Sequence, residues 1–224
     1  MLSTFHSMAD RFHQAVHATP APRSNTGVIV SIMIAAGLWL YMFGVAFTPF
    51  WPSMIVSTSI LLLLSISLAR RSILLGVWFR EIGIGIVASV VLYCLFFVGN
   101  YVVRHLFVRG GDAIGSIYTL REHYSHLFLT LTLLFPIGPG EELFWRGMIQ
   151  AELTRRLTTW PALILGALIY AAVHIPSWNP ILLLAAFTGG IFWGMLFIWR
   201  CSIVAPMVSH VLWDILVFVY FPFH

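Results

Sequence analysis

Seven apolar runs, each about long enough to cross a bilayer as a helix, follow one another through this chain and leave little of it able to face water. A hydrocarbon core about 30 Å thick takes about 20 residues of α-helix. On that length the spans fall at roughly 27–48, 53–69, 82–103, 126–154, 160–175, 180–199 and 203–221. The fold class they imply is all-α, a polytopic transmembrane helix bundle of about seven spans. Composition points the same way: 60% of the 224 residues are hydrophobic and 9% are charged, where a soluble domain carries about a quarter.

Residues 1–26 read as a polar or interfacial N-terminal leader, and 27–224 as the transmembrane domain. The leader lacks the basic start and apolar run of a cleavable signal peptide. Leu2, Phe5, Phe12 and Val16 line one side of a helix suited to lying on the membrane surface. His13 and His17 share a helical face and read as solvated. Cys94 and Cys201 sit in or beside apolar segments and read as packing cysteines, not a disulfide framework.

All twelve basic residues are arginine, spread along the chain. Such spreading excludes a nucleic-acid binder, which gathers basic side chains on one face or tail. Arginines near the span ends set orientation. One side collects Arg11, Arg23, Arg70, Arg71, Arg80, Arg155, Arg156 and Arg200, and the other Arg104, Arg109 and Arg121. The bias places the N-terminus inside and the C-terminus outside, with 104–125 as a candidate interfacial or re-entrant segment. The expected location is a bacterial or archaeal inner or plasma membrane.

The fourth span is unlike the others. Pro136-Ile137-Gly138-Pro139-Gly140 interrupts its apolar run, and the helix restarts with Glu141 and Glu142. Backbone left unpaired by such a break is tolerated at membrane depth only beside protein or a wet cavity. Ionisable residues also mark this and the following spans: Glu141, Glu142, Arg146, His174, His210 and Asp214. Each is costly to insert and is a functional candidate by default. A structural ion pair explains Glu142 with Arg146, four residues apart on one helical face; it leaves Glu141 unexplained. At 1.5 Å per residue, Glu141 lies about 21 Å from Arg155, and His174 about 21 Å from Trp160. His210 and Asp214 lie about 15 and 21 Å from Arg200 on the same scale. Residues from three helices thus share one depth, as a single site requires and independent ion pairs do not.

No G-x-S-x-G signature occurs, and neither cysteine has an evident histidine partner. A carboxylate beside a histidine can instead hold water and take its proton as it attacks a carbonyl, with a second histidine steadying the oxyanion. Two histidines and a glutamate also make a zinc set, but H-E-x-x-H is absent, so the reading is no cofactor, with zinc as the lesser alternative.

Three strings then match a known family. Glu141-Glu142-Leu143-Phe144-Trp145-Arg146 resembles the E-E-x-x-x-R motif of the CPBP family, also called ABI, which includes CAAX prenyl endopeptidases and bacteriocin-processing proteins. The segment from Tyr170 to His174 is similar to its F-x-x-x-H motif, with tyrosine at the aromatic place. His210 to Asp214 resembles H-x-x-x-N or D. The resemblance covers about 120–221. It implies an intramembrane glutamate protease acting on a peptide or protein substrate at the lipid bilayer. By position, Glu141 and His174 would activate water, Glu142 with Arg146 would shape the pocket, and His210 would stabilise the oxyanion. Asp214 stands where some relatives have asparagine; an ionised carboxylate cannot donate a hydrogen bond, so it must be protonated or orient His210. The family permits a prenylated tail, a bacteriocin or pheromone leader, or a sorting signal as substrate. Other readings are a catalytically silent membrane scaffold or secretion accessory, and a proton-coupled transporter. The transporter would show repeated halves with matching breaks, and only one break is evident.

Overall fold

A computed structural model describes residues 2–19, 25–44, 49–68 and 78–223. The described residues are helical, with no strand. We number the helices α1 (Leu2–Ala18), α2 (Asn25–Gly44), α3 (Phe50–Leu68), α4 (Trp78–Leu106), α5 (Gly110–Tyr118), α6 (His126–Arg156), α7 (Thr159–Ser177), α8 (Pro180–Arg200) and α9 (Val204–Tyr220). Helices α2, α3, α4, α6, α7 and α8 are long and apolar enough to cross a membrane, and α9 is a shorter apolar helix, giving the bundle of about seven spans. The ends 45–48 and 69 of two expected spans, with Arg23, Arg70 and Arg71, lie outside the described residues.

Polar contacts sort the helix ends into two layers. Glu81 at the start of α4 holds Arg200 at the end of α8 through two bonds of 2.7 and 3.2 Å. Thr159 Oγ1 donates to the Ala9 carbonyl at 3.0 Å, and Arg155 donates to Thr19 Oγ1 at 2.6 Å. At the opposite end, Trp51 Nε1 donates to the Leu120 carbonyl at 2.7 Å and Arg121 to the Phe218 carbonyl at 3.0 Å. Asn179 caps α8 and donates to the Ala113 carbonyl at 2.7 Å. The helices therefore alternate in direction through the bundle, as membrane crossings must.

Helix α1 buries Phe12 and Val16 against Leu163, Phe197, Ile198 and Ile203. Most of the apolar side expected to rest on the membrane is thus taken up by the ends of α7 and α8; Phe5 stays exposed, and the side chain of Leu2 lies outside the description. The 104–125 segment contains α5, packed on α4 and α8. Burial pushes the Tyr118 phenol at its end up to about 12, and the Tyr118 oxygen accepts from the Phe223 N–H at 3.1 Å. Helix α4 packs along α9, while Val87, Val91, Leu95 and Val98 on α4 stay exposed, the signature of a lipid-facing surface.

Candidate active site

The interruption in α6 falls one residue earlier than the glycine-proline string suggests. Phe135 is extended, with φ −148° and ψ 120°. Proline disfavours helical geometry in the residue before it and has no N–H to give. Regular helix resumes over Gly138–Glu142 and continues through a wider, π-type turn at Leu143–Gln150. Glu141 lies in the first turn of the resumed helix, where aligned amide dipoles favour a carboxylate. Gly140 brings α6 against α3: a Cβ there would stand 2.6 Å from the Thr58 carbonyl oxygen. Backbone meets backbone at this point, so α3 becomes a wall of the site.

A cavity of about 120 Å³ lies between α2, α3, α6, α7, α8 and α9, and Glu141, His174, His210 and Asp214 all line it. Tyr170 lines it from α7, Trp39 and Phe43 from α2, and Phe50, Trp51 and Met54 from α3. Glu142 and Arg146 stand behind its wall, at 0% and 2% exposure. The six residues singled out in the sequence are thus brought together in one buried assembly, in two connected groups.

In the first group Glu142 Oε1 accepts from Arg146 Nη1 at 2.8 Å and from His210 Nδ1 at 2.7 Å. Arg146 Nη2 donates to the Gly189 carbonyl at 3.3 Å. The guanidinium lies over the rings of Tyr170 and Trp193, at 4.8 and 5.3 Å, a placement that offsets part of its burial. Trp193 also stacks on His210, with ring centroids 3.8 Å apart. Asp214 Oδ2 stands 3.5 Å from His210 Nε2, a position from which it orients the ring.

In the second group Glu141 Oε2 accepts from the Tyr170 hydroxyl at 2.8 Å. Glu141 forms no ion pair among the described residues. Trp39 Nε1–H donates to His174 Nε2 at 3.1 Å. An indole nitrogen only donates, so Nε2 carries no proton and the neutral ring holds its proton on Nδ1. That proton goes to the Tyr170 carbonyl at 2.8 Å. Helix α7 loses its regular α-turns at Ala172, leaving this carbonyl among those a helix end must satisfy by other means. Both ring nitrogens of His174 are therefore engaged, and in this arrangement neither has a lone pair to give a metal.

Three contributors escape sequence reasoning. Trp39 lies far upstream on a span that reads only as apolar, Trp193 is one aromatic among many, and the Tyr170 hydroxyl looks like a tolerated variation. No spacing rule links them to the acidic pair.

A helical membrane bundle that encloses carboxylates, histidines and an arginine around one cavity at bilayer depth has the build of a polytopic intramembrane enzyme. The family model of the type II CAAX prenyl endopeptidase Rce1-like proteins matches residues 123–216, which include all six residues. Over that stretch the chain is similar to the Rce1-like type II CAAX prenyl endopeptidases, the group that the three sequence motifs resemble. No curated protein and no solved structure matches the chain.

Proposed function

We propose that this protein hydrolyses a peptide bond in a membrane-associated substrate with Glu141 as general base. The observation that carries the reading is Glu141 itself: a carboxylate with 3% exposure that faces the cavity and is held by one phenol and no cation. Glu141 takes a proton from water as the water oxygen bonds to the scissile carbonyl carbon. As the tetrahedral intermediate collapses and the C–N bond breaks, the same carboxyl returns that proton to the departing amine.

The developing oxyanion is met by His210. Its Nδ1 is committed to Glu142, so donation from Nε2 requires the imidazolium, whose charge Glu142 and Asp214 stand on either side to balance. Glu142 and Arg146 act through His210 and not on the substrate. His174 faces the same cavity but has Nε2 on Trp39, and joins in taking the water proton only when that indole withdraws. This division of labour makes Glu141 the primary base.

An adjoining cavity of about 240 Å³, lined by apolar side chains of α4, α5, α8 and α9, shares Leu182, Ala185, Trp213 and Phe218 with the site. It offers an apolar substituent a seat beside the scissile bond, which favours a lipid-modified peptide tail over an unmodified leader as substrate. The test is processing of a fluorogenic peptide with a prenylated cysteine by wild type and by Glu141→Gln and His174→Ala, at matched protein levels. Loss in Glu141→Gln is the expected result. Cleavage undiminished in Glu141→Gln rules the reading out.

A further inference from the structure

Resting on the reading of Glu141 as base, we infer that Tyr170 is a positioning residue of this site. It determines which oxygen of Glu141 is left facing the cavity, and its backbone carbonyl helps hold the His174 proton on Nδ1. The resembled motif has phenylalanine at this place, so the hydroxyl is a feature of this chain's own site.

Tyr170 reaches both water-activating candidates through different atoms. Its hydroxyl donates to Glu141 Oε2 at 2.8 Å, and its backbone carbonyl accepts the His174 Nδ1 proton at 2.8 Å. The ring does not swing freely, being packed against Trp145 and His174 at centroid distances of 5.2 Å each and lying under the Arg146 guanidinium. Gly190 lets α8 lie close to α7 one turn before Tyr170: a Cβ there would stand 3.0 Å from the Ala167 Cβ. With Oε2 occupied, Oε1 is the oxygen left to receive water. A carboxylate held on one oxygen presents the lone pairs of the other in a fixed plane, whereas a free one rotates and exchanges its two oxygens. Orientation of this kind acts on the chemical step more than on substrate binding.

The hydroxyl contact and the carbonyl contact are separable, because Tyr170→Phe removes only the first and keeps the ring. We expect this variant to fold with wild-type thermal stability to within a few degrees. Its kcat on the prenylated fluorogenic peptide should fall about tenfold, the scale of one hydrogen bond to a charged group, with KM within about twofold. A readout independent of any substrate comes from infrared difference spectra of the membrane-embedded protein. The carboxyl band that Glu141→Gln removes should shift in Tyr170→Phe. The ¹⁵N signals of His174, reporting the Nδ1–H tautomer, should stay where they are in the same variant. Wild-type kcat together with an unmoved Glu141 band overturns the inference, as does a rise in KM with unchanged kcat. A Glu141→Gln protein as active as wild type sinks the base reading instead, whatever Tyr170→Phe does.

Discussion

Glu142 and Arg146 hold opposite charges four residues apart in the interior, and removing one of them is not the mirror image of having both. The pair is fully enclosed, so Arg146→Met takes away the guanidinium and leaves the Glu142 carboxylate with His210 as its one charged partner. Such a loss costs about 3–5 kcal/mol. The expected outcome is a lowered thermal midpoint and less folded protein from the membrane fraction. The double variant Glu142→Gln/Arg146→Met should recover part of the loss, since neither charge of the pair then remains. Equal midpoints for the single and double variants would contradict a charge-pair origin. The pairing was legible in the sequence because four-residue spacing on a helix fixes which side chains meet. The links to Trp39, Tyr170 and Trp193 were not, because each depends on how separate helices turn toward one another, and an indole or phenol in an apolar run looks like packing.

At the scale of the element, the interruption in α6 was legible, since proline and glycine inside an apolar span have few other uses. Its exact residue was not: Phe135 bears the extended geometry because the constraint of Pro136 falls on its predecessor. Gly140 shows what the string of small residues is for. A methyl group there would meet the Thr58 carbonyl, and a backbone oxygen cannot rotate away as a side chain would. Gly140→Ala should force α6 off α3 and cost about 1–3 kcal/mol, the usual penalty of overpacking. The checks are the thermal midpoint and the kcat of the purified variant, both expected to fall. An unchanged midpoint would mean that this close approach is dispensable. The contribution of α2 and α3 to the cavity was hidden for the same reason: their residues carry no motif, and only packing reveals that Trp39 and Phe50 form its far wall.

For the molecule as a whole, the seven crossings and their alternation followed from hydrophobic length alone, and the paired helix ends agree with it. Arg11, Arg80, Arg155, Arg156 and Arg200 belong to the layer that includes α1. Arg104, Arg109 and Arg121 belong to the other, where Leu120 and Ile117 of the α5 region reach the cavity. The cavity therefore borders the arginine-poor layer, which we propose faces outward, as the positive-inside bias of the sequence would have it. Orientation is testable with single cysteines at exposed Ser7 and Asp112 in a Cys94→Ser/Cys201→Ser background. An impermeant maleimide applied to intact cells should label Asp112→Cys and spare Ser7→Cys. The reverse pattern would turn the opening inward.

The most direct measurement of the catalytic assignment is the single-turnover cleavage rate of wild type against Glu141→Gln in the same membranes, with folded protein quantified in both. Glutamine keeps the shape of the side chain and its contact with Tyr170 but cannot take a proton. General-base assistance contributes about 10²- to 10⁴-fold, and a fall of that size is predicted. A Glu141→Gln rate within about threefold of wild type, far short of such a general-base effect, would contradict the assignment of Glu141 as the base.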